Sequence, residues 1–435
     1  MFKILKNSWA LFTGIGIMMI AHGLQSNLMG VRSVIENFNV VTTGIFMSGY
    51  FVGYFIGSQT TPILVSKVGH IRVFAAFASM ASLSVLIVVV FVNPYIWTIA
   101  RFITGLSLVS CYIVAESWLN DRATNKNRGQ LLSAYMIILF TGLGIGMLLL
   151  NVGNPEKFEP FILVSLLMSI ALVPILLTKR KAPKFKKIGV ISMKELYKIS
   201  PLGTVSSFCT GAIHSALFSL AAVYAATVKF TILEISILLF IINMSAVFST
   251  GPIGFLSDKY DRRLIIIISS LGSAILAFIA IFISNHYLTT FWNLNYESVL
   301  GNGKLIFFII LGLYASLSLP LFSLNLAHTN DYVSKEKFVA AGGGLQLIFG
   351  IGAIGGPILC SLLMKLIGVN GFFMFLIMFH IIICIFGFWR MTRRVTEDNP
   401  DSTFTPLPAS ITPAGLELDP DVPVDMENKN PTKEN

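Results

Sequence analysis

The side chains most able to do chemistry in this sequence are ionisable groups placed within long apolar runs. Arg101 and Glu116 share one run, and His22 and His214 stand in two others. An arginine in such a setting can bind an anionic group, and a carboxylate or an imidazole can carry a proton. These residue types therefore indicate binding or proton transfer at sites shielded from bulk water.

Arg101 and Glu116 each allow two interpretations. Arg101 either binds an anionic group or stabilises a deprotonated coupling site, or it is a helix-end arginine whose side chain reaches the outer interface. Glu116 lies roughly 22 Å further along a helix, too far to pair with Arg101. It is either a proton carrier or the acid partner of bases near the end of its helix, namely Lys67, Arg72 or Arg128. We favour the second interpretation because the turn around Lys67 has no acid of its own.

Histidine and amide side chains supply further candidates. His22 and His214 either relay protons or satisfy neighbouring polar groups. Amides in membrane helices either contact a solute or hydrogen-bond one helix to another, and the second role is more common. The candidates for solute binding or coupling are His22, Gln25, Arg101, His214, Asn243 and Gln346.

The composition indicates which elements must hold these residues. Hydrophobic residues make up 55% of the 435 residues and charged residues only 12%, whereas an average soluble domain has roughly 25% charged residues. So much apolar surface requires lipid, and the short alternating segments of a membrane β-barrel are not seen. The net charge of +10 does not indicate nucleic-acid binding, because the bases fall in short turns between apolar runs.

No motif indicates an enzyme, a cofactor or a metal centre. The sequence has neither H-E-x-x-H nor G-x-x-x-x-G-K-[ST], and its glycine runs lie within apolar spans rather than after a strand. The four cysteines lie in apolar runs without a C-x-x-C pair. We therefore expect no catalysis, no cofactor, no metal and no ATP-driven transport within this chain.

Windows of about 20 apolar residues, each long enough to cross a bilayer, occur throughout the chain. They are 8–30, 42–66, 72–92, 95–119, 130–152, 159–178, 201–227, 233–257, 263–284, 304–327, 338–364 and 369–391. The sequence thus predicts an all-α integral membrane protein with twelve transmembrane helices in two pseudo-symmetric six-helix bundles, at 1–178 and 201–391. A cytoplasmic basic linker is expected at 179–200. The acidic, proline-rich segment 392–435 is expected to be a disordered cytoplasmic tail.

The charge of the turns predicts the orientation. Most of the 31 lysines and arginines fall in one alternate set of turns and in the two termini. The other set contains only Arg32, Lys157, Lys229, Lys304 and Lys365. By the positive-inside rule we expect both termini in the cytoplasm and the protein in the inner, or plasma, membrane.

The two predicted bundles repeat each other. One constant offset aligns His22 with His214 and Lys67 with Lys259. At a larger offset of about 208–212, the glycine run at 141–146 matches the run at 349–357. Two parallel halves of six spans are one of the repeat plans of secondary transporters, so this layout favours a transporter.

Several motifs resemble those of the major facilitator superfamily. The loop signature of that family reads roughly Gly-x-x-x-Asp-Arg/Lys-x-Gly-Arg-Arg. The second half is similar to it at Gly254, Asp258, Lys259, Arg262 and Arg263, and the first half at Lys67, Gly69 and Arg72. The family signature Arg-x-x-x-Gly resembles Arg101 and Gly105, and the stretch VAESWLNDRATNKNRGQLLSAYM at 114–136 resembles the YcaD-type branch.

The resemblance covers about residues 8–391 and implies a fold and a transport function, without a substrate. It implies a secondary active transporter that moves a small solute by alternating access, with protons as the coupling ion. We expect it to function as a monomer in the bilayer. The expected cytoplasmic gate comprises Lys67, Gly69, Arg72, Glu116, Arg128, Gly254, Asp258, Lys259, Arg262 and Arg263. An uncoupled facilitator and a non-transporting membrane sensor or scaffold remain alternatives.

Overall fold

The structure is a computed structural model that describes residues 2–124, 126–177, 189–290, 302–393 and 402–423. The regular elements within those residues are helices, and none of them is a β-strand. The α-helices are α1 (Phe2–Ile35), α2 (Val40–Val68), α3 (His70–Val90), α4 (Pro94–Arg122), α5 (Arg128–Leu148), α6 (Glu159–Leu176), α7 (Met193–Ile199), α8 (Pro201–Thr227), α9 (Ile232–Lys259), α10 (Arg262–Thr290), α11 (Asn302–Ser318), α12 (Leu321–Asn330), α13 (Phe338–Ile367), α14 (Gly371–Met391) and α15 (Pro413–Leu416).

The long helices account for all of the predicted apolar windows. Eleven of the described helical segments are long and apolar enough to cross a membrane, and α1 is a further long helix at the first window. Helices α11 and α12 share one window, because the segment is interrupted next to Pro320. The predicted all-α membrane fold is confirmed.

Polar side chains fix the start of several helices. Asn39 before α2 and Asn93 before α4 each accept a hydrogen bond from a backbone N–H of the first turn. Before α9, Thr231 and Glu234 form a reciprocal capping box. Such caps satisfy N–H groups that have no partner within the helix, and this matters most where water is scarce.

The helices pack in two groups. Helices α1–α6 pack on one another, and α8–α14 form the second group, with the most extensive contacts between α2 and α4 and between α8 and α13. Glycine allows these close crossings. A Cβ added at Gly105 would lie 1.9 Å from the carbonyl oxygen of Tyr50, and one at Gly352 would lie 2.0 Å from that of Phe208. Small residues let membrane helices pack backbone against backbone in this way.

One end of the helix bundle carries exposed bases. Lys67, Arg72 and Lys259 are exposed at this end, and residues 402–423 lie against it. We call this end the basic side and the other end the opposite side.

The two groups of helices touch each other toward the opposite side. Helix α2 packs along α13, where Ser48 donates a 2.8 Å hydrogen bond to the carbonyl oxygen of Ile354. A Cβ added at Gly44 would lie 2.5 Å from the carbonyl oxygen of Pro357 and 2.1 Å from the hydroxyl of Ser361. Helix α1 also contacts α8, and α5 contacts α9. The groups are therefore closed against each other on the opposite side.

Residues 402–423 of the tail are packed, unlike the disordered tail that the composition predicts. The apolar side chains of Leu407, Ile411, Leu416 and Leu418 are at most 4% exposed. Composition indicates only how much apolar surface the tail could bury within itself. Here the two groups of helices supply the surface against which the tail packs. A few apolar tail residues are therefore enough to hold it in place. The rest of the tail lies outside the described residues.

Part of the basic linker is also ordered. Residues 178–188 lie outside the described residues, but α7 starts at the N-cap Ser192 and buries Leu196 completely. The backbone N–H of Ile191 donates to the carbonyl oxygen of Ala340 in α13. The end of the linker thus packs on the second group of helices. The proposed bundle boundaries themselves stay predictions.

Candidate functional site

A polar cluster from α1, α2 and α4 surrounds Arg101. The guanidinium carbon of Arg101 lies 4.8 Å from the centre of the Tyr50 ring, a cation–π contact. The Tyr50 ring stacks on His22, with 5.4 Å between the ring centres. Arg101 is only 2% exposed, and its Nε and Nη1 atoms have no hydrogen-bond partner among the described residues. A buried cation without an acid is costly, so this cluster is suited to receive an anionic group.

Gln25 extends the cluster along α1. Its Nε2 donates to the hydroxyl of Thr104 over 3.2 Å, and that hydroxyl lies 2.9 Å from the hydroxyl of Ser84. Gln25 Oε1, His22 Nδ1 and the side-chain nitrogen of Asn27 are buried and have no partner among the described residues. His22 and Gln25 therefore offer free hydrogen-bonding atoms in the cluster around Arg101.

The local sequence explains why Tyr50 reaches Arg101. A Cβ added at Gly53, one turn after Tyr50, would lie 1.9 Å from the carbonyl oxygen of Phe102. Gly105 fills the reciprocal position one turn after Arg101. The two glycines let the backbones of α2 and α4 touch, and this contact brings the aromatic ring over the guanidinium group.

The candidates of the second group of helices have different surroundings. His214 hydrogen-bonds through Nε2 to the carbonyl oxygen of Ser318 over 3.0 Å, within its own group. Asn243 donates to the carbonyl oxygen of Phe140 over 2.9 Å and so joins α9 to α5. His214 contacts neither Arg101 nor its neighbours, although the repeat aligns it with His22. These two contacts match the helix-to-helix role that amides and histidines often have.

Gln346 of α13 reaches the tail. Its Nε2 donates to the carbonyl oxygen of Ala409 over 2.8 Å, while its Oε1 has no partner among the described residues. The neighbouring tail residue Ser410 accepts a hydrogen bond at its carbonyl oxygen from Tyr54 of α2. Tyr54 lies 6.1 Å from Tyr50, centre to centre. Only the rings of Tyr54 and Tyr50 therefore separate this part of the tail from Arg101 in the chain of contacts.

Glu116 does not have the partners that we expected. It is 1% exposed, and its Oε1 accepts a 2.8 Å hydrogen bond from the hydroxyl of Tyr135. Its Oε2 accepts hydrogen bonds from the backbone N–H of Thr412, over 3.0 Å, and from the Thr412 hydroxyl. The predicted bond to a base of the first half is not formed. Glu116 is held by a tyrosine and by the tail.

The bases of the first half explain this difference. Lys67 and Arg72 are exposed, at the turn where Gly69 ends α2 with a φ of 87°, a conformation that favours glycine. Arg128 is buried and donates through Nη1 to the carbonyl oxygens of Asp419, over 2.9 Å, and Val422. These bases face solvent or the tail, while Glu116 lies deeper among the helices.

The second half of the expected gate forms a network around Arg262. The guanidinium group pairs with Asp258 at 2.8 Å and with Asp331, and it donates to the carbonyl oxygen of Ala327 over 2.8 Å. It also donates to the hydroxyl and carbonyl oxygens of Ser402 in the tail. Arg263 pairs with Asp261 at 2.7 Å. The network thus ties α9, α10, α12 and the tail together.

Gly254 and Lys259 are the remaining residues in the second half of the expected gate. A Cβ added at Gly254 would lie 2.2 Å from the ring of Phe404, so this glycine makes room for the tail. Lys259 is exposed and lies over the ring of Tyr260 at 5.6 Å. Most residues of the second half of the expected gate therefore lie close together. Residues 402–423 of the tail contact both halves of the expected gate.

Sequence reasoning missed several residues of the site. Thr104 and Ser84 link Gln25 to the neighbouring helices, and Tyr135 holds Glu116. A hydroxyl in an apolar run is a weak signal, because most such groups bond to their own helix. The tail gave no signal at all, because its partners are distant in sequence.

No metal site stands out in the described part of the chain. Among the described residues, no group of three or more histidine, cysteine, aspartate or glutamate side chains is arranged to hold an ion. The cysteines Cys111, Cys209, Cys360 and Cys384 are buried and free.

The fold and the polar cluster define a class of protein. Two groups of apolar helices, packed around buried polar residues and spanning a membrane many times, are typical of a membrane transporter. The profile of the Major Facilitator Superfamily matches residues 11–328 and 204–421. The chain belongs to that superfamily and is a multi-pass integral membrane protein.

Relatives and solved structures agree with this assignment. The "Uncharacterized MFS-type transporter YcaD" of Escherichia fergusonii is 24% identical over 358 residues, covering 82% of this chain and 88% of the relative. The protein of the same name from Escherichia coli O9:H4 (strain HS) is 25% identical over 264 residues, or 59% of this chain and 68% of the relative. The resemblance to the YcaD-type branch is confirmed.

Two solved structures share the fold. The nucleoside transporter NupG superposes with a TM-score of 0.71 and 14% identity, covering 88% of this chain and 98% of that one. A bacterial homolog to the human lysosomal transporter Spinster, in an inward-facing and occupied conformation, has a TM-score of 0.69 and 15% identity. It covers 93% of this chain and 99% of that chain. At these identities the likeness concerns the fold alone.

Proposed function

We propose that this protein is a secondary active transporter that moves a small anionic solute by alternating access. It lies in the inner, or plasma, membrane with the basic side toward the cytoplasm, and it works as a monomer. The orientation is supported by the excess of lysine and arginine on that side. The single observation that carries the anionic substrate class is the buried Arg101, for which the described residues supply no acid.

The contacts between the two groups of helices support alternating access. The groups are closed on the opposite side, at Gly44 with Pro357 and at Ser48 with Ile354. On the basic side the tail bridges them, from Arg262 of α10 to Arg128 of α5. With the tail displaced from this position, a solute at Arg101 would exchange with the cytoplasm, and the second conformation would close the basic side and open the opposite side.

We assign proton coupling to His22. Glu116 and His214 are further candidates. The unpartnered His22 Nδ1 lies in the same cluster as Arg101, so its protonation would respond to an anion bound there. His214 and Glu116 already have hydrogen-bond partners. His22 is therefore the strongest of the three candidates.

The substrate class can be tested by comparing metabolites inside and outside cells that express wild-type protein, Arg101→Gln or Arg393→Gln. Arg393 is an exposed arginine beyond the last helix and serves as the matched loss of charge. We expect anionic solutes to be redistributed by wild type and Arg393→Gln but not by Arg101→Gln. Redistribution of the same solutes by Arg101→Gln at the wild-type level would refute the anion site.

Coupling is tested with the solute so identified, in proteoliposomes with an imposed pH gradient. Accumulation should follow the gradient in wild type and be lost when His22, Glu116 and His214 are replaced together. Accumulation that is unchanged in the triple variant would exclude these coupling residues. Equilibration without any response to the gradient would identify an uncoupled facilitator instead.

A further inference from the structure

The tail segment 402–423 crosses the basic side from one group of helices to the other. At its start, Ser402 accepts hydrogen bonds from Arg262, and the N–H of Phe404 donates to Asp258 over 2.9 Å. At its end, the carbonyl oxygens of Asp419 and Val422 accept hydrogen bonds from Arg128. The first pair of contacts lies on α9 and α10 and the second on α5. The segment therefore bridges the two halves that must move in alternating access.

The middle of the segment is recognised through its backbone. The hydroxyl of Ser323 donates to the carbonyl oxygen of Leu407 over 2.9 Å and accepts from the N–H of the same residue over 3.1 Å. Gln346, Tyr54 and Glu116 bond to the next residues along the tail, at Ala409, Ser410 and Thr412. Side chains of α2, α4, α12 and α13 thus converge on residues 407–412 of the tail, just before the short helix α15. Main-chain hydrogen bonds together with pockets for side chains are a usual means by which proteins bind peptides.

The shape of the site matches this peptide. A Cβ added at Gly415 of the tail would lie 2.6 Å from Oε2 of Glu116. On the helices, a Cβ added at Gly342 would lie 2.6 Å from the side chain of Leu416, and a Cβ added at Gly254 would clash with the ring of Phe404. These two glycines therefore leave room for tail side chains. Ile411 and Leu418 are completely buried. The prolines of the segment restrict the free peptide, which lowers the entropy lost on docking.

The segment lies on the route between Arg101 and the basic side. Ser410 bonds to Tyr54, which contacts the Tyr50 ring of the Arg101 cluster. A solute at Arg101 cannot leave along this route while the segment is seated. The halves also cannot close on the basic side, because the segment stands between them.

We propose that the basic side of this transporter is a peptide-binding site whose occupant is the chain's own segment 402–423, and that the seated segment blocks the transport cycle. The blocking step rests on the proposed alternating access. Release of the segment frees the route to Arg101 and permits closure of the basic side. The two states of the tail therefore set how many molecules are active.

The experiment measures the position of the tail and the conformation of the helices in the full chain, without any solute. A spin label at Pro406→Cys, an exposed tail position, reports whether the tail is seated. A pair of labels at Tyr95→Cys and Leu366→Cys, which are 81% and 77% exposed on the opposite side, reports opening there. The native cysteines are buried and free, so they should not be labelled.

Two tail variants release the segment without changing a transmembrane helix. Gly415→Leu places a side chain against the Glu116 carboxylate, and Ile411→Asp buries a charge. Pro423→Ala, at an exposed tail position, is the matched control. We expect an immobile tail label and a single short distance in wild type and in Pro423→Ala. Either releasing variant should give a mobile label and a second, longer distance, with the open population raised about tenfold, as for a coupling of roughly 1.4 kcal/mol.

The outcomes separate this proposal from the proposed function. A mobile tail label in wild type would show that the site is not occupied, and a released tail with an unchanged distance would show that it does not block the cycle. Either result overturns the proposal. Solute transport is measured separately: if neither wild type nor Gly415→Leu moves a solute while the distances change as expected, the transport function fails, and what stands is that the seated segment holds the helices in one conformation.

Discussion

The substitution Gly44→Ala should shift the balance between the two conformations of the helix groups. Gly44 on α2 lies where the groups close on the opposite side, and its Cβ would stand 2.5 Å from the backbone oxygen of Pro357. The hydroxyl of Ser361, at 2.1 Å, can rotate away, but a backbone oxygen can move only with its helix. We therefore expect the methyl group to push α2 and α13 apart.

The size of the effect follows from the packing. Inserting a methyl group into a closely packed contact costs about 1–3 kcal/mol. This cost falls on the conformation that closes the opposite side and is absent when that side opens. The population of the open conformation should therefore rise by roughly 5- to 150-fold.

Spin labels at Tyr95→Cys and Leu366→Cys measure this shift, because both residues are exposed on the opposite side of different groups. Gly355→Ala is the matched control, since its Cβ would meet only Leu359, at 3.9 Å, on the same helix. We expect a longer distance component in Gly44→Ala and none in Gly355→Ala. If Gly44→Ala folds and its distances equal those of wild type, the contact does not belong to a moving interface and our reasoning is wrong.

Three further predictions concern stability and pH. Gly105→Ala should lower the stability of the first group by roughly 3 kcal/mol, because its Cβ would lie 1.9 Å from a backbone oxygen of α2; thermal unfolding in detergent measures this. Thr231→Ala should cost about 1 kcal/mol through loss of the capping box of α9, read from the same unfolding curves. Docking of the tail should strengthen by about tenfold from pH 7.5 to pH 5. Burial raises the pKa of Asp419 to about 6, so the seated tail binds a proton more tightly than the free tail; the spin label on the tail reports this.

Each of these predictions has its own control. Gly251→Ala is the control for Gly105→Ala and should not lower the stability, because nothing lies within 4 Å of its Cβ. If both variants lower the stability equally, close packing at Gly105 is not the cause. For Thr231, replacement by serine should retain the cap, and a loss as large as that of alanine would contradict it.

The pH prediction depends on the groups that face Asp419. The hydroxyl of Thr405, the backbone N–H of Asp421 and the guanidinium group of Arg128 favour its charged form, while burial and the Asp421 carboxylate oppose it. Burial is the largest of these influences, so acid favours docking. Asp419→Asn should make docking of the tail independent of pH in this range. If docking of this variant still depends on pH, another group is responsible.

The sequence by itself determined the long apolar helices. Runs of apolar residues long enough to cross a bilayer leave only α-helices as a solution, because lipid offers no partners to backbone polar groups. The same reasoning located the repeat, and the signature at Arg101 and Gly105 indicated the family. These features are local in the chain, so composition and spacing were enough to predict them.

Only the tertiary structure decided how the side chains are paired. The repeat placed His22 and His214 in equivalent positions, yet only His22 stacks against Tyr50 beside Arg101, while His214 bonds within its own group. Glu116 was assigned to a nearby base and is held instead by Tyr135 and Thr412. Thr412 is distant in the chain, and no local pattern indicates such a contact. The tail illustrates the physical reason most clearly: its few apolar residues cannot form a core alone, but the space between the two groups of helices completes one.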